Sequence, residues 1–355
     1  MNALFRGVCL MMIVFSDDFM KHEPPSYHPE NPQRLELIIR GLRSNGLDYM
    51  LTGCECSADI RDAAVTVHSD SYVSYILRKL RDAPTWLDED TYLSTGSEQA
   101  IKRALGCSVC FAERALNGEK ITAFLLVRPP GHHAGINGAA MGSDSLGFCI
   151  FNNAAIVAKL LSQKGNVFML DFDSHHGNGT HEIFYTDKKV IHLDIHQHPG
   201  TLYPGTGWPD QTGEGEARGT KLNIILPPGA SDDIIEDVLS RMDLYLQRFS
   251  FDYIVVSAGF DAFLNDGLAN LRLSEISYYN LGNYIRSIGK DKPIIVLLEG
   301  GYSVGLERGV PAFVKGLSGL SKSNEWLQTR SDDRAWVKYH SWREEYEGYI
   351  LGLSG

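Results

Sequence analysis

The 355-residue chain has no apolar run long enough to cross a bilayer, no excess of basic residues, no low-complexity linker and no internal repeat. A spanning helix needs about 20 consecutive apolar residues. The stretch from Met1 to Phe15 is apolar apart from Arg6, but it is too short to span and no small-residue cleavage site follows it. No membrane association is expected. With a net charge of -11 the chain offers no basic footprint for phosphate backbones, so no direct nucleic-acid binding is expected. An acidic surface suits cationic substrates better. Cysteine is scarce, six residues in all. Cys107 and Cys110 have C-x-x-C spacing, but they lie in a helical pattern with no second pair to complete a structural zinc site. The cysteines are expected to be reduced core thiols, which implies a reducing, cytoplasmic setting.

What is present is an alternation of short β-branched runs with amphipathic helical patterns. The first strand is expected at Cys9–Phe15. Further strands are expected at Ile121–Val127, Asn166–Phe172, Val190–Ile195, Leu222–Leu226, Tyr253–Ala258 and Pro293–Leu298. They are apolar on both faces, as in a parallel sheet covered by helices. Helices are expected at Ser97–Leu116, stopped by Asn117-Gly118, and at Asn153–Gln163, Asp232–Phe249 and Ser274–Ile288. The reading is α/β: one domain over residues 1–355, a central parallel β-sheet flanked by helices, with a catalytic core at about 10–320 and a C-terminal helical tail at 321–355. The tail tryptophans Trp326, Trp336 and Trp342 are expected to pack back on the body.

In an open parallel sheet, chemistry collects at the carboxyl ends of the strands. Here four polar clusters follow four strands: Arg128-Pro129-Pro130-Gly131-His132-His133, Asp173-Ser174-His175-His176-Gly177-Asn178-Gly179, Gly259-Phe260-Asp261 and Glu299-Gly300-Gly301-Tyr302. Alternate side chains of an extended segment share a face, so Asp171, Asp173 and His175 project together. Asp173, His175 and Asp261 make an O,N,O set with an open position, the pattern of a catalytic zinc; the same set suits Fe(2+) or Co(2+). His132 and His133 can divide general-base and general-acid work, with Asp171 and Asn178 as unequal orienting partners. Tyr302, swung inward by the two glycines before it, can hold a developing oxyanion.

These motifs, with Tyr203-Pro204-Gly205-Thr206-Gly207 and Ser257-Ala258-Gly259-Phe260-Asp261, resemble the histone deacetylase superfamily in order from about His28 to Gly316. That superfamily includes acetylpolyamine amidohydrolases and prokaryotic deacetylase-like amidohydrolases; Asn178 and the Glu-Gly-Gly-Tyr form resemble its class II branch. The resemblance implies the arginase–deacetylase fold and zinc-dependent hydrolysis of an acetyl amide. The product would be acetate and a free amine, from N-acetyl-lysine or alternatively an acetylated polyamine. It implies zinc on Asp173, His175 and Asp261, catalysis by His132, His133 and Tyr302, and tunnel walls at Gly147, Phe148 and Tyr203. It places Arg34 near an acetate exit and potassium at Asp171, Asp173 and His175. Asp194 joins that potassium set where the family commonly has serine. Leu268 occupies the place of a polyamine-selecting glutamate, which favours acyl-lysine, whereas Asp88, Glu89 and Asp90 fall in a segment that binds the cation in prokaryotic polyamine enzymes. Two remote alternatives are an arginase-type ureohydrolase, which needs a second acidic set beside Asp261, and a non-catalytic acyl-lysine binding module, which would have lost part of the set.

Overall fold

The computed structural model describes residues 11–352. Its centre is an eight-stranded sheet of β1 (Met12–Phe15), β2 (Leu51–Gly53), β3 (Thr122–Leu125), β4 (Val167–Asp171), β5 (Val190–Gln197), β6 (Lys221–Leu226), β7 (Tyr253–Ala258) and β8 (Ile294–Leu298). The strands lie in the order β6-β5-β4-β7-β8-β3-β1-β2, and every pairing is parallel. Helices flank it. Both faces being covered, β4, β5, β6 and β8 are buried along their whole length; β4 and β8 accordingly read as near-continuous apolar runs, whereas β5 alternates apolar residues with the buried polar His192, Asp194 and His196.

Expected strands and helices fall where the patterns place them, most with ends trimmed by one to three residues; β5 runs two residues further and β6 starts one residue earlier. Cys9 and Leu10 lie outside the described residues, and the remainder of the first expected strand forms β1. Helix Ser97–Leu116 has the expected bounds, and the Ser274 hydroxyl caps helix Glu275–Ile288 by accepting from Ile276 N. Strand β2 and the helices Gln33–Ser44 and Asp70–Arg81 were not anticipated. Within the tail, residues 321–332 are not helical, and a helix, Asp333–Ile350, packs on the edge strand β6. Trp342 stacks on His198 at 4.0 Å, and Trp336 Nε1 donates to Asp233 Oδ2.

The expectation of reduced thiols fails. Cys54 is bonded to Cys107 and Cys56 to Cys110, leaving Cys149 as the free, buried cysteine among the described residues. Cys107 and Cys110 share a helix face, Cys54 and Cys56 share one side of an extended segment, and Gly106 has no Cβ to keep Ser57 away. The partners lie 53 and 54 residues apart, which hides the second pair. The inference of a reducing compartment from unpaired thiols therefore loses its basis. No helix among the described residues is long and apolar enough to cross a membrane.

Candidate functional site

Parallel register brings the carboxyl ends to one edge of the sheet. Asp171 at the end of β4 pairs with Ser257 on β7 and with Asp194 on β5, while Ala258 pairs with Leu298 on β8. The segments that follow therefore start level with one another. Asp173, His175 and Asp261 converge there, their donor atoms all within 4.8 Å of one another and the residues buried. Backbone holds both oxygens of Asp173 and one of Asp261: Gly300 N donates to Asp173 Oδ2 at 2.8 Å, His175 N to Asp173 Oδ1 at 2.9 Å and Ser174 N to Asp261 Oδ1 at 3.0 Å. Asp173 Oδ1 and Asp261 Oδ2 face one nitrogen. His175 Nδ1 is 3.0 Å from Asp173 Oδ1 and 2.9 Å from Asp261 Oδ2. A single N–H cannot satisfy both, and Asp261 Oδ2 has no hydrogen-bond partner. Burial alone would lower the His175 pKa, yet the Asp261 and Asp173 carboxylates raise it to about 10. The site attracts positive charge. Glycine is required around it, since a Cβ at Gly259 or Gly300 would overlap Asp173 Oδ2. These three residues fit a divalent cation: two carboxylate oxygens and an imidazole nitrogen, with Asp261 Oδ2 left without a hydrogen-bond partner.

His132 and His133 lie beside them, their rings 4.0 Å apart, with His133 6.0 Å from His175. Their partners differ. His132 Nδ1 meets Asp171 Oδ2 at 3.0 Å, and His133 Nδ1 meets Asn178 Oδ1 at 2.7 Å. The Asn178 amide is oriented by its Nδ2, which donates to Ala140 O and Ser143 Oγ. Its oxygen must then accept from His133, so His133 carries its proton on Nδ1 and its lone pair on Nε2. Burial lowers both histidine pKa values; in His132 the carboxylates of Asp171 and Asp173 more than reverse this and raise it well above normal. In His133 burial is reinforced by His132 and His175, and the pKa falls well below normal. Two neighbouring imidazoles are thus driven apart, one cationic and one neutral.

Tyr302 stands at the far end of the site, edge-on to Phe148 at 5.8 Å and over the Arg34 guanidinium at 5.0 Å. Burial raises its pKa well above normal, Arg34 opposes this, and Asp261 and Asp173 add to it. The phenol lies in the field of the carboxylate set. Two groups position this turn: Asp266, which the motifs did not single out, and Arg34, which the resemblance places near an acetate exit. Asp266 accepts from Tyr302 N, Ser303 N and Gly305 N at 2.7–3.0 Å; burial and Asp261 push its pKa up to about 6. Arg34, fully buried, donates to Gly301 O at 2.6 Å and to Glu299 O. Glu30 binds Arg34 and also Arg128, so a single carboxylate ties the Tyr302 turn to the His132–His133 loop. Glu299 Oε2 accepts from Gly131 N and His132 N from the other side. Nothing in the spacing reveals these links; only a buried acid in each motif hints at them.

Gly147 and Phe148 both have positive φ, 54° and 71°. A Cβ on Gly147 would lie 2.6 Å from His133 Cδ2 and 2.9 Å from Tyr203 Cε1, so the chain presses directly on both rings. Tyr203 is edge-on to His133 at 5.0 Å, with its hydroxyl on Ser145 O. Phe148 and Tyr203 thus flank the histidines. Leu268 is exposed, at 39%. The acidic loop does fold beside Phe148, but Asp88 and Asp90 are spent on backbone and hydroxyl groups. Asp88 accepts from Leu146 N, Asp90 N and Thr91 N; Asp90 accepts from Ser145 Oγ and Thr91 Oγ1. They hold the 145–148 wall, and Glu89 is the exposed acid of the three.

A parallel α/β sheet whose strand ends gather an O,N,O donor set beside an unequal histidine pair and a tyrosine defines the class of metal-binding amidohydrolases. Comparison then narrows it: the histone deacetylase domain family matches residues 28–317, and the chain belongs to that family. It is 38% identical to a probable deacetylase of Methanothermobacter thermautotrophicus, covering 87% of this chain and 91% of that one. It is 34% identical to a probable deacetylase of Archaeoglobus fulgidus, covering 82% and 81%. The crystal structure of the HDA15 HD domain superposes with a TM-score of 0.83 at 28% identity, covering 97% of this chain and 96% of that one. An acetylpolyamine aminohydrolase from Burkholderia pseudomallei gives 0.75 at 26%, covering 87% and 99%.

Proposed function

We propose that the chain is a zinc-dependent deacetylase that hydrolyses the acetyl amide of N-acetyl-lysine in proteins or peptides. The observation that carries this is the convergence of Asp173, His175 and Asp261 on one point, with a buried oxygen left unpartnered, beside two histidines whose pKa values are driven apart. A zinc ion held by these residues would supply a Lewis acid that acidifies water and polarises the acetyl carbonyl; Fe(2+) or Co(2+) would serve alike. His133, neutral with its Nε2 lone pair free, takes the proton from the attacking water. His132, cationic against Asp171, keeps a proton available for the departing amine. Tyr302 donates to the oxyanion, its phenol kept protonated by burial. Phe148 and Tyr203 take the methylenes of the substrate stem out of water, at about 0.8 kcal/mol per buried CH₂.

A polyamine would bring a second ammonium to the mouth, and desolvating it is costly unless a carboxylate meets it. Leu268 cannot, Asp88 and Asp90 are already engaged, and Glu89 is the one exposed acid of that loop left to do so. The test is a pair of rates: kcat/KM should be higher on an acetyl-lysine peptide than on acetylspermidine. The reverse order would instead make the chain an acetylpolyamine amidohydrolase.

A further inference from the structure

We propose that Cys54, Cys56, Cys107 and Cys110 are a redox-gated zinc site: two disulfides when oxidised, four thiolates around one zinc ion when reduced. The C-x-x-C pair of helix Ser97–Leu116 lacks a second pair only along the sequence. The fold supplies one, Cys54-x-Cys56, on the segment that follows β2. Cys54 meets Cys107 and Cys56 meets Cys110, with Cα separations of 6.2 and 6.5 Å. Along the helix, side chains three residues apart start about 5–6 Å from one another. Along the extended segment, side chains two residues apart share a side and start about 6.6 Å apart. The four side chains therefore spring from a frame with sides of about 5–7 Å. Zinc takes four sulfurs at ~2.3 Å, hence about 3.8 Å from one another. Side chains freed from their disulfides can reach one centre across such a frame.

The frame does not depend on the sulfurs. Arg103 Nη1 donates to Cys56 O at 3.0 Å, and its guanidinium pairs with Asp18 at 2.8 Å and Glu55 at 3.2 Å. Ala58 N donates to Lys102 O, and Cys54 N to Phe15 O at the end of β1. A Cβ at Gly106 would lie 2.3 Å from Ser57 Cα, so helix and segment touch backbone to backbone. Opening both disulfides thus leaves four thiols gathered, and the preorganisation favours a shared ligand. Cys54 and Cys107 are buried while Cys56 and Cys110 are half-buried, so one edge is open to a reductant and an ion.

A purely structural role does not account for both bonds. A disulfide stabilises chiefly by closing a loop in the unfolded chain. Once Cys54–Cys107 has closed its loop, Cys56–Cys110 closes only the few residues between the two bonds and restrains the unfolded chain little further. Four cysteines are, by contrast, the full complement of a closed tetrahedral site, and soft thiolates select zinc over the oxygen-seeking alkali and alkaline-earth ions. The chemistry balances. Each disulfide takes two electrons and two protons from a dithiol, which leaves as its own disulfide; one S–S bond breaks and two thiols form. Zinc then displaces the four thiol protons.

The test uses the full chain carrying Asp261→Ala, which removes the strand-end metal set, with zinc alone as probe and zinc per chain as readout. Reduced with a phosphine, which brings no competing thiol, the chain should hold one zinc; oxidised, it should hold none. Adding Cys107→Ser/Cys110→Ser should abolish zinc binding in the reduced state. If that variant does not fold, cobalt alone serves as probe on the unmutated cysteines: the reduced chain should show thiolate-to-cobalt charge-transfer absorption that oxidation abolishes. No zinc in the reduced chain, equal zinc in both states, zinc retained by the folded Cys107→Ser/Cys110→Ser variant, or cobalt bound without thiolate absorption would overturn the proposal. The readout needs no turnover, so its failure leaves the deacetylase reading standing, and loss of that reading leaves the cysteine site standing.

Discussion

Replacing Asn178 with aspartate puts a full negative charge 2.7 Å from His133 Nδ1. His133 is held neutral by burial and by the positive charge of His132 and His175, and a zinc ion nearby would push it the same way. A carboxylate in hydrogen-bond contact favours the imidazolium and raises the histidine pKa by about 1–3 units, or roughly 1.4–4 kcal/mol. The sign is fixed. The base must be unprotonated, so activity rises with pH through its pKa, and raising that pKa moves the acid limb of the profile to higher pH. Stability should fall as well. Asn178 Nδ2 now donates to Ala140 O at 2.9 Å, and a carboxylate oxygen there leaves that carbonyl unsatisfied, at about 1–3 kcal/mol. The assay is kcat/KM against pH for wild type and Asn178→Asp at saturating zinc, with thermal melts alongside. An acid limb that stays in place, or moves to lower pH, would refute the assignment of His133 as the base.

Three further outcomes are expected. Gly147→Ala forces a side chain into left-handed backbone and 2.6 Å from His133 Cδ2; kcat should drop about 10-fold or more with zinc content unchanged, and a wild-type kcat would show that the wall does not press on the base. Tyr302→Phe should bind zinc normally and lose on the order of 10²–10³ in kcat, the size of one oxyanion donor; near wild-type turnover would remove the tyrosine from the reaction. Leu268→Glu, at an exposed position where stability should change by less than ~0.5 kcal/mol, should raise kcat/KM for acetylspermidine relative to an acetyl-lysine peptide, and an unchanged ratio would move discrimination elsewhere in the mouth.

Much of the frame was legible because burial on both faces leaves a local mark. β4, β7 and β8 are short runs dominated by Val, Ile, Leu and other apolar residues, and β5 and β6 keep enough Val, Ile and Leu around His192, Asp194, His196 and Asn223 to be read; each is a strand. Asp173, His175, Asp261, His132, His133 and Tyr302 were legible for a topological reason: parallel strands put all their following segments on one edge. What stayed hidden depends on pairs distant in sequence. The Cys54–Cys107 and Cys56–Cys110 bonds join segments more than 50 residues apart. Glu30 reaches Arg128 across 98 residues. Asp266 sits in Asn265-Asp266-Gly267, which reads as an ordinary turn, and its carboxylate becomes a latch only when the Tyr302 turn arrives. Asp88 and Asp90 find their partners in the 145–148 segment, more than 50 residues away. β2, three residues long and half exposed, carries too little apolar pattern to be read.

The central claim is that acetyl-amide hydrolysis depends on the Asp173, His175 and Asp261 set. The most direct measurement is acetate released from an acetyl-lysine peptide by zinc-loaded wild type and by Asp261→Ala, with circular dichroism showing that both are folded. One acetate per free amine from the wild type, and none above background from the folded variant, is the predicted result. Acetate release by Asp261→Ala at the wild-type rate would contradict it.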